Sequence, residues 1–226
     1  EESDELTPRV GTYLGDHGRL GGMFSLFRMR SDTPGITLTP DADDTLFRLG
    51  MWLGYDNRDS WRNPRSGWQS ELELWWTGGD GRSWSMNADL RRYLPTAKRQ
   101  KLLLSNLVSL QTGTVGVDVP SYYTYYVGGA NSIRGYALGE LGSPLSGKNQ
   151  GLGTAEYSFN LVPLQRWDVW KFALRMGLDM AIFADAGIAW NEPRELAWSR
   201  ARGGLGAGIR LLIPNIEMVR LDVGWS

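Results

Sequence analysis

The chain contains no cysteine and a single histidine, His17, and it carries no run of about 18 apolar residues. Without cysteine there is no disulfide framework and no thiolate zinc site, and one histidine makes a His-dependent triad or metal cluster improbable. Charge of one sign is missing too. With 24 basic against 25 acidic residues, the net charge of -1 gives nucleic-acid binding no electrostatic support. The lack of a long apolar run excludes a transmembrane helix, and the acidic start "EESDELTPRV" shows no signal peptide. A transmembrane β-barrel leaves no such marks, because only alternate residues face lipid. The mean hydropathy of -0.33 is compatible with one.

What the chain does have is glycine (29), tryptophan (11) and strict alternation. In "TLFRLGMWLGY" one face is Phe47, Leu49, Met51, Leu53 and Tyr55, and the other is Arg48, Gly50, Trp52 and Gly54. "WQSELELWW" sets Leu72, Leu74 and Trp76 against Gln69, Glu71 and Glu73, and "SWSMNADLR" follows after the turn-forming "TGGDG". The second half repeats the pattern. "GTAEYSFNL" places Glu156 opposite Ala155 and Tyr157. "FALRMGLDMAIFADAG" sets Phe172, Leu174, Met176, Leu178, Met180 and Ile182 against Arg175, Gly177, Asp179, Ala181 and Asp185. "GGLGAGIRLLI" and "VRLDVGW" put Gly204, Gly206, Gly208, Arg210, Arg220 and Asp222 on the polar side. "KLLLSNLVSL" (101–110) is ambiguous, and residues 1–40 are weakly patterned.

A soluble β-sandwich or lipocalin-like barrel would also alternate. Three features argue instead for an antiparallel transmembrane β-barrel. The apolar faces are long enough for tilted membrane strands of about 9–11 residues. The opposite faces mix charges with small residues, as a wet or plugged lumen does. Aromatics (Tyr55, Trp75, Trp76, Trp84, Tyr93, Trp190, Trp225) collect toward strand ends like an interfacial girdle. The whole of 1–226 is expected to be one barrel domain.

"GYDNRDSWRNPRSGW" (54–68), with Asp56, Arg58, Asp59, Pro64 and Gly67, is similar to the Y-D-x-R-D…P-x-x-G-W segment of the outer-membrane surface-antigen superfamily, the family of BamA, TamA and the two-partner-secretion transporters. "GGANSIRGY" (128–136), within "VGGANSIRGYALGELG", looks like the signature of a long extracellular loop that folds into the barrel lumen. "GTAEYSFNLVPL" (153–164), "FADAG" (183–187) and "GLGAGIRLLIPNIEMVRLDVGW" (204–225) resemble three later motifs, in the family's order.

The resemblance implies a pairing between the R-G-[YF] arginine, Arg134 with Gly135 and Tyr136, and the aspartate Asp185. The alternation adds Glu156 as a second inward carboxylate. Arginine suits such a site, because its planar fork pairs bidentately and an uncompensated charge in a confined lumen is costly. Gly128 and Gly129 permit a tight loop course, and the inward Gly204, Gly206 and Gly208 leave room for it. The alternative for Arg134 is a solvated loop tip. "GLGAG" (204–208) lacks the third glycine and the helix of a dinucleotide fingerprint.

Family barrels have 16 strands and upstream POTRA domains. Only 8–10 strands and no POTRA pattern are visible here, so the expectation is either part of a larger barrel or a short member that closes as a small barrel or completes one with a second copy. The expected function is insertion of outer-membrane proteins, or translocation of polypeptide or lipid, in a Gram-negative-type outer membrane. No covalent chemistry, cofactor or metal is expected. The partners implied are membrane lipids, unfolded or secreted client proteins, and accessory subunits or a second copy. The alternatives are the membrane anchor of a patatin-like phospholipase and a passive pore.

Overall fold

Alternation at a period of two residues becomes thirteen strands and no α-helix among the described residues. The structure is a computed structural model describing residues 2–137, 145–169, 172–213 and 219–226. The strands are β1 (Glu2–Leu6), β2 (Arg9–Leu14), β3 (Gly18–Arg30), β4 (Asp43–Asp56), β5 (Gly67–Gly79), β6 (Ser83–Ala97) and β7 (Gln100–Gln111). They continue with the short β8 (Tyr125–Tyr126) and β9 (Ser146–Gly147), then β10 (Asn149–Val169), β11 (Phe172–Trp190), β12 (Arg202–Leu212) and β13 (Val219–Trp225). Residues 138–142 of the glycine-rich stretch and 214–218 of the closing motif lie outside the described residues, as do the side chains of Phe172 and Leu174.

Eleven strands form one antiparallel sheet, ten of them in the order β1-β3-β4-β5-β6-β7-β10-β11-β12-β13, with β2 also paired to β3. β2 lies on the same side of β3 as β1, pairing with Gly18–Met23 while β1 pairs with Leu26–Arg30. The two are one edge strand interrupted at Thr7–Pro8, where proline has no N–H to give the ladder. The weakly patterned N-terminal residues therefore supply three strands. The sheet is open. β1 and β2 border one edge and β13 the other, a partial barrel whose edges find no partner among the described residues.

Register carries the two faces across the sheet without a break. Gly50 pairs with Trp75, Trp75 with Ser85, and Ser85 with Gln111, all on the inner face. The outer face is Phe47, Leu49, Met51, Leu53, Trp84, Ile182, Leu205, Ile209 and Leu221, all exposed. In water this surface would be a severe liability, whereas in lipid it is the face that a barrel must present. Polarity is inverted inside: Asp179, Asp185, Ser158 and Arg210 are buried. "KLLLSNLVSL" resolves the same way, with Leu103 and Leu107 turned in and Leu104, Val108 and Leu110 turned out.

Two residues of the expected aromatic girdle face the other way. Trp75 and Tyr93 are buried, at 4% and 7% exposure, and Trp190, at the end of β11, is buried as well, at 9%. Adjacent side chains of a strand point to opposite faces, so of the Trp75–Trp76 pair only Trp76 can face lipid. Trp75 donates its Nε1–H to Glu73 at 3.2 Å and lies beneath the Arg48 guanidinium. Tyr93 shares the inner side with Asp89 and Arg91, four and two residues earlier.

Connections alternate between the two ends of the sheet. Among the described residues one end holds 31–42, 80–82, the loop residues 112–137 and 145–148, and 191–201; the other holds 15–17, 57–66 and 98–99. Placing a charge on the outer face tests the lipid assignment. Leu49→Arg, near the middle of β4, is expected to cost about 2–4 kcal/mol of stability in a bilayer. Denaturant titration of the protein folded into liposomes measures it, and a change under 0.5 kcal/mol would contradict a lipid-facing β4.

Candidate functional site

Loop residues 112–137 and 145–148 return across the inner face and are anchored by a small core. Val127, Ile133, Leu145 and Ala189 are buried together, with Tyr136 and Leu152 packed against them. Residues 129–136 close on themselves: the Gly129 N–H donates to the Tyr136 carbonyl at 2.9 Å, and the Gly128 N–H to Ser132 Oγ at 3.1 Å. Gly135 sits at φ 112°, a left-handed conformation that a side chain would strain. With Ile133 pinned in the apolar cluster at 0% exposure, its neighbour Arg134 is driven into the polar interior.

There Arg134 meets two carboxylates from one strand pair. Its Nε donates to Asp185 Oδ2 at 2.7 Å and its Nη2 to Asp185 Oδ1 at 2.9 Å, a bidentate fork. The Arg134 backbone N–H adds a third bond to Asp185 Oδ2 at 3.1 Å, and Thr154 Oγ1 a fourth to Oδ1 at 2.9 Å. Nη1 reaches Glu156 Oε2 at 2.7 Å. Burial alone would pull the guanidinium pKa down, but the hydrogen bonds to Asp185 and Glu156 outweigh it and hold the pKa above its ordinary value. The guanidinium lies 3.4 Å from the centroid of the Phe183 ring, which closes one of its faces.

The cluster is larger than a pair. Arg134 Nη1 also donates to Asp222 Oδ2 at 3.2 Å. Arg210 bridges the same two acids, donating from Nη2 to Glu156 at 2.9 Å and from Nη1 to Asp222. Arg220 pairs with Asp222 at 3.3 Å and donates to the loop carbonyl of Ala130 at 2.6 Å. Three arginines thus face three carboxylates. β10 gives Glu156, β11 Asp185, β12 Arg210, and β13 both Arg220 and Asp222, so one loop residue ties the last four strands together. Among the described residues no group of three His, Cys, Asp or Glu is placed to hold a metal ion.

Glycines make the floor. A Cβ on Gly204 would stand 2.2 Å from the Arg134 carbonyl oxygen, and one on Gly206 would stand 2.3 Å from the Phe183 ring. Gly224 likewise lies against the Arg134 backbone. The loop can approach the sheet only where side chains are missing.

Arg134, Gly135, Tyr136, Gly128, Gly129, Glu156 and Asp185 are thus brought together. Asp56, Arg58, Asp59, Pro64 and Gly67 are not; they lie at the opposite end of the sheet. Arg58 forks onto Asp56 at 2.9 and 2.8 Å, and Asp59 accepts the backbone N–H groups of Arg65 and Ser66. Lys101, from the inner face, donates to Asn63 Oδ1 and to the Pro64 carbonyl, drawing this loop inward. Gly67, at φ 111°, turns the chain back into β5. Phe183, Thr154, Arg210 and Asp222 belong to the cluster but did not stand out in the sequence. Their signal was there, since Phe183 and Thr154 sit two residues from Asp185 and Glu156 and share their faces.

Substitutions at two positions separate charge from space. Arg134→Ala leaves buried carboxylates short of a partner and is expected to cost about 3–5 kcal/mol. Arg134→Lys should recover only part of that, because an ammonium cannot form the fork. Urea unfolding and the temperature at which heat-modifiability on gels is lost read both. Gly204→Val keeps every charge but collides with the loop backbone. Limited proteolysis should then cut within 112–137 at least tenfold faster than in the parent, and unchanged cutting would show that the loop is not held by the floor.

Residues 18–226 match the model of the Omp85 superfamily domain. Among solved structures, BamA from Haemophilus ducreyi lacking POTRA domains 1–3 superposes with a TM-score of 0.74 at 16% identity, over 98% of this chain and 50% of that one. CdiB from Acinetobacter baumannii superposes with a TM-score of 0.57 at 13% identity, over 99% of this chain and 42% of that one. The chain therefore spans about half the length of the structures it matches. At these identities the structural likeness speaks for the fold, and the family match covers nearly the whole sequence. The chain belongs to the Omp85 superfamily.

Proposed function

We propose that this chain is the loop-locked part of an outer-membrane barrel that inserts outer-membrane proteins or passes polypeptide across that membrane. The observation that carries the reading is the loop-filled interior of a sheet that belongs to the Omp85 superfamily. The inner face is occupied by a loop fixed through Arg134, which suits a passive pore poorly. In the complete barrel a client is templated by pairing its own strand with a strand edge. Catalysis of this kind is templating and needs no covalent step, nucleophile or cofactor. Membrane lipids, unfolded client barrels and accessory subunits are the partners this reading entails.

The test uses the native full-length protein in liposomes with a urea-unfolded outer-membrane barrel as client. Protease-protected, heat-modifiable client should accumulate several-fold faster than in empty liposomes, and Arg134→Ala should remove most of the gain. Equal rates with and without the protein would overturn insertion. A large, steady conductance indifferent to client would identify a pore.

A further inference from the structure

We propose that the cavity between the inner face of β4–β7 and the loop residues 122–125 binds a small hydroxylated anion, a sugar acid or a sugar phosphate. The cavity measures about 240 Å³. At roughly 30 Å³ per water that is about eight waters, the size of one sugar ring with a charged substituent.

Its floor is a set of inner-face positions in register. Arg48 of β4 lies opposite Thr77 of β5, Thr77 opposite Ser83 of β6, and Ser85 stands one inner position further along. Its roof is the loop, and the roof is held up by protein bonds. Tyr125 Oη donates to Asn87 Oδ1 at 3.0 Å, Gln111 Nε2 donates to the Tyr123 carbonyl at 3.1 Å, and Tyr122 Oη donates to Asp44 at 3.0 Å. The space is therefore a built feature of the closed loop.

Two buried polar atoms in the wall have no protein partner: Arg48 Nε and Ser85 Oγ, the latter on a residue only 7% exposed. The Arg48 guanidinium lies 4.5 Å from the Trp75 centroid and 5.2 Å from that of Tyr123. Its Nε–H, left without a protein acceptor, is a donor of the kind that recognises a carboxylate or phosphate. Among the described residues no carboxylate lines the cavity. The nearby Asp44 is consumed by the backbone N–H groups of Leu38 and Thr39 and by Tyr122. A guanidinium without an acid, beside serine and threonine hydroxyls, selects an anion that also carries hydroxyl groups. The cavity lies on the inner face, away from the apolar outer one, so the ligand is a soluble saccharide without an acyl chain. The cavity shares no residue with the Arg134 cluster, and the proposal is independent of the insertion reading.

The experiment is calorimetric titration of the full-length protein in detergent, with glucose 6-phosphate, glucuronate, glucose and inorganic phosphate as probes. Glucose 6-phosphate or glucuronate should bind at least tenfold more tightly than glucose or phosphate. Arg48→Gln should weaken that binding at least tenfold, and Ser85→Val, which fills the cavity, should do the same. Both variants are checked for parental heat-modifiability, and Ser83→Val replaces either one that fails to fold. Absence of binding by both sugar anions, or binding unchanged in the folded variants, would overturn the site. Phosphate binding as tightly as glucose 6-phosphate would overturn the sugar. Micelles of a phosphorylated glycolipid should leave glucose 6-phosphate binding unchanged, and competition by them would overturn the soluble source.

Discussion

Two buried arginines, Arg134 and Arg210, and three carboxylates share one enclosed patch of the inner face, with the exposed Arg220 at its margin, and neither buried set could stay charged there without the other. A buried guanidinium or carboxylate is costly to leave unpaired, so the network is all-or-none in character. Its consequence is topological. Arg134 comes from a loop, Glu156 and Asp185 from β10 and β11, and Arg210, Arg220 and Asp222 from β12 and β13. Holding one loop residue in place therefore fixes the mutual register of four strands, in a part of the sheet that ends in an open edge. The apolar anchor of Ile133 and the ring of Phe183 supply the shape, while the charges supply the direction.

The polarity of the whole molecule follows from its solvent. With lipid outside, leucine, isoleucine and methionine face out, and there is little apolar driving force left to fill the interior. Packing inside is instead achieved by pairing large residues with absent ones. Trp75 lies over Gly50, Trp52 over Gly11 and Gly21, and Phe183 over Gly206. The same device that admits these rings beside the sheet admits the loop backbone over Gly204 and Gly224. Glycine, abundant in the composition, is thus concentrated where the interior must accept something bulky.

The two ends of the sheet are treated differently. At one end the long loop reaches inward and makes both the ionic cluster and, over β4–β7, a roofed polar cavity. At the other, residues 57–66 fold back on Asp56 and Asp59 and are drawn in by Lys101. The motif resemblance grouped these segments by family. Distance divides them, because successive connections of a meander lie at opposite ends of its strands.

The sequence by itself determined the outer face, the inner face and most of the strands, because a period of two is a local property that each segment carries alone. Phe47 to Tyr55 needed no partner to declare which way they point. It also put Asp185 and Glu156 on the side where a loop arginine could find them. Only the tertiary structure decided which neighbours shared a face at the same height. Register is a relation between strands, and it brought Arg210 and Asp222 into the cluster, turned Trp75 under Arg48, and recruited the weakly patterned first 30 residues as an edge. The cavity beneath Tyr122–Tyr125 was invisible for the same reason: its floor is drawn from four strands and its roof from a loop, and no stretch of sequence contains both.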